Sequence, residues 1–309
     1  MRTFSRFKPL QFKQSGNKGK ALFALGLVCF FWGTTWIASK EGVRHMPALQ
    51  LAGLRQFLGG VGYVIFFLVK GARWPKGKEW GIVIVLSMLN FLLSNGLSTW
   101  GVKFISAGLG AIIGAIFPLW LVIIGLFSAK KKVGSKTILG LLLGFAGICI
   151  IFYEHLSDFF NPDFRFGIFL SLVATWSWAF GTLYTKKHAT GFNPYFSLGL
   201  QMVVSGALLM GISKISGQSV HISSIPWKSW MAILYLLVFS SFLCFVAYLY
   251  ALQHLPTEQA SLYAYINPIV AVLLGWLLFD ELLTPFVVAG TLVTLYGVYL
   301  VNRSISKII

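Results

Sequence analysis

Apolar and polar positions along the chain do not alternate with a strand or surface-helix period. They separate into long apolar runs broken by short polar, mostly basic, segments. The runs lie near 21–39, 48–69, 80–100, 107–128, 137–153, 166–185, 194–213, 229–252, 259–279 and 285–302. Each is close to the roughly 20 residues that an α-helix needs to cross the hydrocarbon layer. The pattern predicts an all-α membrane protein with ten transmembrane helices. A basic tail over 1–20 precedes five helices over 21–153, a linker over 154–165 leads to five more over 166–302, and a short tail covers 303–309. The basic tail and first run together mimic a secretory leader. No small-residue cleavage site follows, however, and the run is long enough to span, so the first helix is expected to be retained.

Composition sharpens this picture. Of 309 residues, 57% are hydrophobic and only 11% charged, and the mean hydropathy is +0.79, which excludes a soluble cytosolic enzyme. The formal charge is +17, from 25 Lys and Arg against 8 Asp and Glu. A basic excess of this size raises nucleic acid as a partner, but 18 of the 25 cations fall in the tails and alternate connections assigned to one side. The opposite connections hold six, and Arg55 alone lies inside a run. That is the positive-inside pattern. It predicts both termini in the cytoplasm, the lipid bilayer as partner and no nucleic acid. Trp74, Trp80, Trp100, Trp227, Trp230 and Trp276 sit at run ends, where indole rings anchor at the headgroups. Cys29, Cys149 and Cys244 are scattered through apolar stretches with neither disulfide nor metal-ligand spacing.

The two halves repeat. At an offset of 146, Trp32 maps onto Trp178, Lys40 onto Lys186, Arg55 onto Gln201 and Gly60 onto Gly206. At 150, Trp100 maps onto Tyr250, Pro118 onto Pro268, Gly125 onto Gly275, Gly140 onto Gly290 and Gly147 onto Gly297. Five helices per half is an odd number, so the second half enters from the opposite side. The expectation is two inverted-topology five-helix repeats, with any substrate site near the midplane between them.

Phe31-Trp32-Gly33-Thr34-Thr35-Trp36 resembles the W-G-x-x-[FW] signature of the drug/metabolite transporter superfamily, within it the ten-helix branch with two EamA-like repeats. Leu278-Phe279-Asp280-Glu281-Leu282-Leu283-Thr284, followed by Gly290 and Gly297, is similar to that branch's turn between helices nine and ten. Asn267-Pro268 with Ala260-Ser261-Leu262 is similar to its helix nine. The resemblance covers about residues 21–153 and 166–302. It implies an inner-membrane permease, commonly an exporter of amino acids or other small metabolites.

The residues themselves exclude much chemistry. All Asp and His residues lie in connections or at run edges, and no Glu is mid-run, so neither paired aspartates nor a metal cluster forms at depth. No catalytic residue, metal or cofactor is expected. A carboxylate proton relay is unsupported, although Glu258 and Glu281 at run ends keep it open. Arg55 inside a run costs roughly 2.5–3.5 kcal/mol at a helix centre. It is read either as snorkelling to the outer headgroups or packing against a carbonyl, or as a contact to a substrate carboxylate or gate. Its neutral counterpart Gln201 favours packing.

Trp32 and Trp178 are too deep for an anchoring belt. Equivalent depth beside small residues favours a cavity over plain packing. Further polar groups at useful depth are Thr35, Asn90, Asn95, Trp100, Tyr248, Tyr250, Tyr263 and Asn267. Each either lines the cavity or bonds a neighbouring helix. Pro118 and Pro268 are hinge candidates, with static kinks as the alternative. The small-residue pairs Gly110/Gly114 and Gly140/Gly144 suit packing within the chain or a dimer. The expected architecture is a permease with an aromatic-rich cavity bounded by helices one, three, four, six, eight and nine, open alternately to two sides. Its substrate is a small neutral, zwitterionic or amphipathic molecule, with amino acids or hydrophobic drugs both fitting. Oligomeric state is left open, and a monomer suffices for this design. A channel without alternating access and a membrane enzyme are the rivals.

Overall fold

The computed structural model describes residues 18–128, 135–154, 157–188, 192–255, 260–261 and 263–305. Most of both tails, Lys131 and Glu258 lie outside these residues. Among the described residues there is no strand, and the chain runs through ten helical rods. These are α1 (Lys18–His45), α2 (Ala48–Val69), α3 (Lys78–Gly101), α4 (two segments, Ala107–Gly114 and Phe117–Ser128), α5 (Ser135–Glu154), α6 (Pro162–His188), α7 (Pro194–Ile215), α8 (Trp227–His254), α9 (Tyr263–Phe279) and α10 (Pro285–Ile305). By length and composition α1, α2, α3, α6, α7 and α8 can each cross a membrane, while the apolar stretches of the other four are shorter.

Local chemistry sets several boundaries. Ser106 Oγ accepts from Leu109 N to open α4, and Asn193 Oδ1 accepts from Tyr195 N and Phe196 N to open α7, with Pro194 at its first position. Glu281 reaches from the α9–α10 turn to accept from Ala107 N at 2.7 Å and Gly108 N at 3.1 Å. A carboxylate there satisfies two orphan donors and meets the positive end of the helix.

One correction concerns helix continuity. The run at 107–128 is not one rod: α4 breaks at Ala115 and Ile116, so Pro118 is the second residue of its second segment. Its missing N–H falls where a helix start leaves donors unused, and the interior cost expected from sequence does not arise. Pro268, in contrast, lies inside α9. The middles of α3 (Ser87–Gly96) and α8 (Leu236–Cys244) are wound as π-helix, at positions about 150 residues apart. The same departure thus recurs at matched positions of the two halves.

The tightest interfaces display the duplication. In α2 and α7, a Cβ on Gly60 would meet Val203 N at 2.5 Å and Gly199 O at 2.7 Å, and one on Gly206 would meet Gly53 O at 2.9 Å. Gly53 and Gly199 are 146 apart, as are Gly60 and Gly206, so each glycine faces the counterpart of the other. In α5 and α10 the equivalent crossing is Gly147 against Gly290 O (2.6 Å) and Gly297 against Gly140 O (2.6 Å). Only a missing side chain lets antiparallel backbones come this close. Gly110 and Gly114 instead receive the Trp36 ring. All four small-residue positions singled out in the sequence thus face partners in this chain.

Candidate functional site

At the centre, α1 and α6 meet through Trp32 and Trp178, whose ring centroids are 6.0 Å apart edge to face. Around Trp32 lie Tyr263 (5.0 Å), Tyr248 (5.1 Å) and Phe245 (5.3 Å), and Trp178 Nε1 donates to the Tyr263 hydroxyl at 2.8 Å. Phe117, the first residue after the break in α4, stacks on Tyr263 at 6.1 Å. The six rings form a septum.

A cavity lies on each side of this septum, and Trp178 and Phe245 belong to the walls of both. The first cavity, about 150 Å³, extends toward the end where α1 and α3 finish and α4 starts, along Ser39, Thr99 and Ala111. The second, about 70 Å³, extends toward the opposite end along Glu79, His188 and Leu252.

The structure brings most of the sequence candidates to these cavities. Trp32, Thr35, Arg55, Asn95, Trp178, Tyr263 and Asn267 line the first, and Asn90, Trp178 and Tyr248 the second. Thr35 Oγ1 donates to Trp32 O at 2.7 Å, and the Asn267 amide donates to Cys29 O at 2.7 Å and Tyr263 O at 3.0 Å, tying α9 to α1. Two candidates go elsewhere. Trp100 packs edge-on against Phe166 (5.2 Å) at the α3–α6 contact. Tyr250 lies against the His254 ring one turn along α8 (4.1 Å). Neither lines either of these two cavities.

Arg55 is corrected as well. It does not snorkel: it is 3% exposed, donates through Nη1 to Ser240 Oγ at 3.1 Å and through Nη2 to Asn95 Oδ1, and faces the first cavity. Its two partners sit in the π-helical middles of α8 and α3, so α2 joins the six expected wall helices, and α7 does so through Gln201 in the second cavity. Sequence reasoning passed over Ser240 and Phe245. Offset 150 maps them from Asn90 and Asn95, and that relation was the available signal. Glu281 is occupied as a helix cap, and no group of three or more His, Cys, Asp or Glu suited to a metal occurs among the described residues.

Residues 19–153 and 165–303 each match the EamA-like transporter family. The chain is 30% identical over 297 residues to the uncharacterized inner membrane transporter YedA of Escherichia coli, covering 95% of this chain and 93% of that one. It is 28% identical to the uncharacterized transporter YvbV of Bacillus subtilis, over 92% of both chains. A WAT1-related chloroplastic protein of Arabidopsis thaliana is also 28% identical, over 93% of this chain and 71% of its own. A solved crystal structure with 15% sequence identity shares the fold, with a TM-score of 0.67 over 92% of this chain and 98% of that one.

Proposed function

Because the chain belongs to the EamA-like transporter family, we propose that it moves small metabolites, amino acids or related compounds, by alternating access, in the direction of export. The observation that carries this reading is the aromatic septum between two cavities that extend to opposite ends of the bundle. A substrate in one cavity is separated from the other side by rings, so passage requires the septum to rearrange. The inverted repeats supply a route: if each half adopts the other's conformation, the first cavity closes as the second widens. Aromatic faces and neutral hydrogen-bonding groups suit a small amphipathic solute, and a buried site without a reactive pair does not suit an enzyme.

The distribution of cations supports a cytoplasmic location for both termini. The second cavity then faces the cytoplasm and the first the exterior, in the cytoplasmic membrane of a bacterium. Counterflow of a pool of labelled amino acids into proteoliposomes tests the reading. Saturable exchange is the expected result. Flux that rises linearly without saturation indicates a channel, and absence of both sinks transport.

A further inference from the structure

Arg55 is the one Lys or Arg in the wall of the first cavity. Its guanidinium has five N–H donors, and the two bonds it makes go to neutral oxygens, Ser240 Oγ and Asn95 Oδ1. Among the described residues no carboxylate pairs with it, and the first cavity has no Asp, Glu, Lys or His in its wall. The cavity therefore carries one fixed positive charge and no negative one. A buried cation without a counter-charge is unfavourable until an anion arrives, and a planar guanidinium matches a carboxylate through two parallel bonds. Ser240 offers a hydroxyl beside it, and the Trp32, Trp178 and Tyr263 rings stand where the rest of a bound molecule would lie.

The pseudo-twofold axis supplies a control within the same chain. The counterparts of Arg55, Asn95 and Ser240 are Gln201, Phe245 and Asn90, and all three line the second cavity. There the cation is replaced by an amide that donates to Ser197 Oγ at 2.9 Å. The Asn90 carbonyl oxygen, in a residue 7% exposed, has no donor among the described residues. One cavity presents donors and positive charge beside the septum, whereas the matching positions of its twin are neutral, its carboxylate Glu79 lying toward the far end in an ion pair with Arg73.

We propose that Arg55, braced by Asn95 and Ser240, is the receptor for a carboxylate of the transported solute. The substrates are accordingly small organic carboxylates, amino acids among them, and not simple amines. The carboxylate is held while the first cavity is open and loses its counter-charge when the second opens. This rests on the transport reading.

The purified full-length protein in detergent is titrated with phenylacetate, phenylalanine, phenylacetamide and phenethylamine, and separately with chloride, by thermal shift. Wild type should bind the two carboxylates at least tenfold more tightly than the amide or the amine. R55Q, which installs the residue present at position 201, should abolish that preference, and R55K, which keeps charge without the fork, should weaken it. Equal binding of phenethylamine, an unchanged preference in R55Q, no binding of any carboxylate, or equal Arg55-dependent stabilisation by chloride would each overturn the proposal. If R55Q does not accumulate, the wild-type ranking and R55K decide. Counterflow separates the two levels. Exchange in wild type that is undiminished in R55Q removes the carboxylate receptor and leaves transport standing, whereas no exchange in wild type removes both.

Discussion

A tryptophan near mid-membrane either fills a packing gap or forms part of a wall, and Trp178 is tied to the wall reading by two properties. It borders both cavities, and its indole N–H is bonded to Tyr263. Replacing it by Ala removes ring area from the septum itself, so the expected result is a leak: counterflow falls at least tenfold while passive efflux from loaded proteoliposomes rises. Trp178→Phe should retain most of the barrier. A buried Trp→Ala change typically costs about 3–5 kcal/mol of stability. Loss of folded protein with normal exchange by the remainder would leave only packing. Glu281 illustrates the opposite case, a charged residue whose use is local. It accepts from two backbone donors at the start of α4, so Glu281→Ala should lower stability by about 0.5–2 kcal/mol, the usual range for losing a cap. Thermal unfolding in detergent measures this. Wild-type melting would show that the carboxylate is not holding that end.

At the scale of elements, Pro118 and Pro268 occupy repeat-equivalent positions but different local structures. Pro118 opens a helical segment after the break in α4, whereas Pro268 sits in the interior of α9 and withholds the bond its position would give to Ala264 O, a residue of the first cavity's wall. Proline at a helix start is nearly free, and in an interior it costs about 3 kcal/mol or more. Pro118→Ala should therefore leave both stability and exchange near wild type. Pro268→Ala should raise the melting temperature, retain substrate binding and slow exchange, because the restored bond stiffens α9 where it meets the septum. Equal exchange rates in the two variants would mean that the bend of α9 is static. The matched π-helical middles of α3 and α8 are the stronger counterpart pair, since each carries one of the two groups that hold Arg55.

Across the whole molecule, the helices and their duplication were legible because both depend on quantities that a sequence carries directly: the length of an apolar run against bilayer thickness, and residue offsets between the halves. The direction of Arg55 was not legible. Depth along α2 follows from counting, but whether the side chain reaches the headgroups or the interior depends on Ser240 and Asn95, which lie 185 and 40 residues away. The break in α4 was hidden for a related reason, because Ala115 and Ile116 contain no breaker and a proline two residues later reads as interior until the segment start is seen. Sidedness follows from cation counts alone, and accessibility can test it together with the two cavities. In a background lacking Cys29, Cys149 and Cys244, single cysteines are placed at Ser39 in the first cavity, Thr185 in the second, Ser157 in the α5–α6 connection and Lys187 near the end of α6. If the termini are cytoplasmic and the septum is closed, a membrane-impermeant thiol reagent added to intact cells should label positions 39 and 157 and spare 185 and 187. Labelling at 187 with protection at 157 would reverse the orientation. Labelling at 39 and 185 at similar rates from one side would mean a continuous path through the rings, and alternating access would give way to a channel.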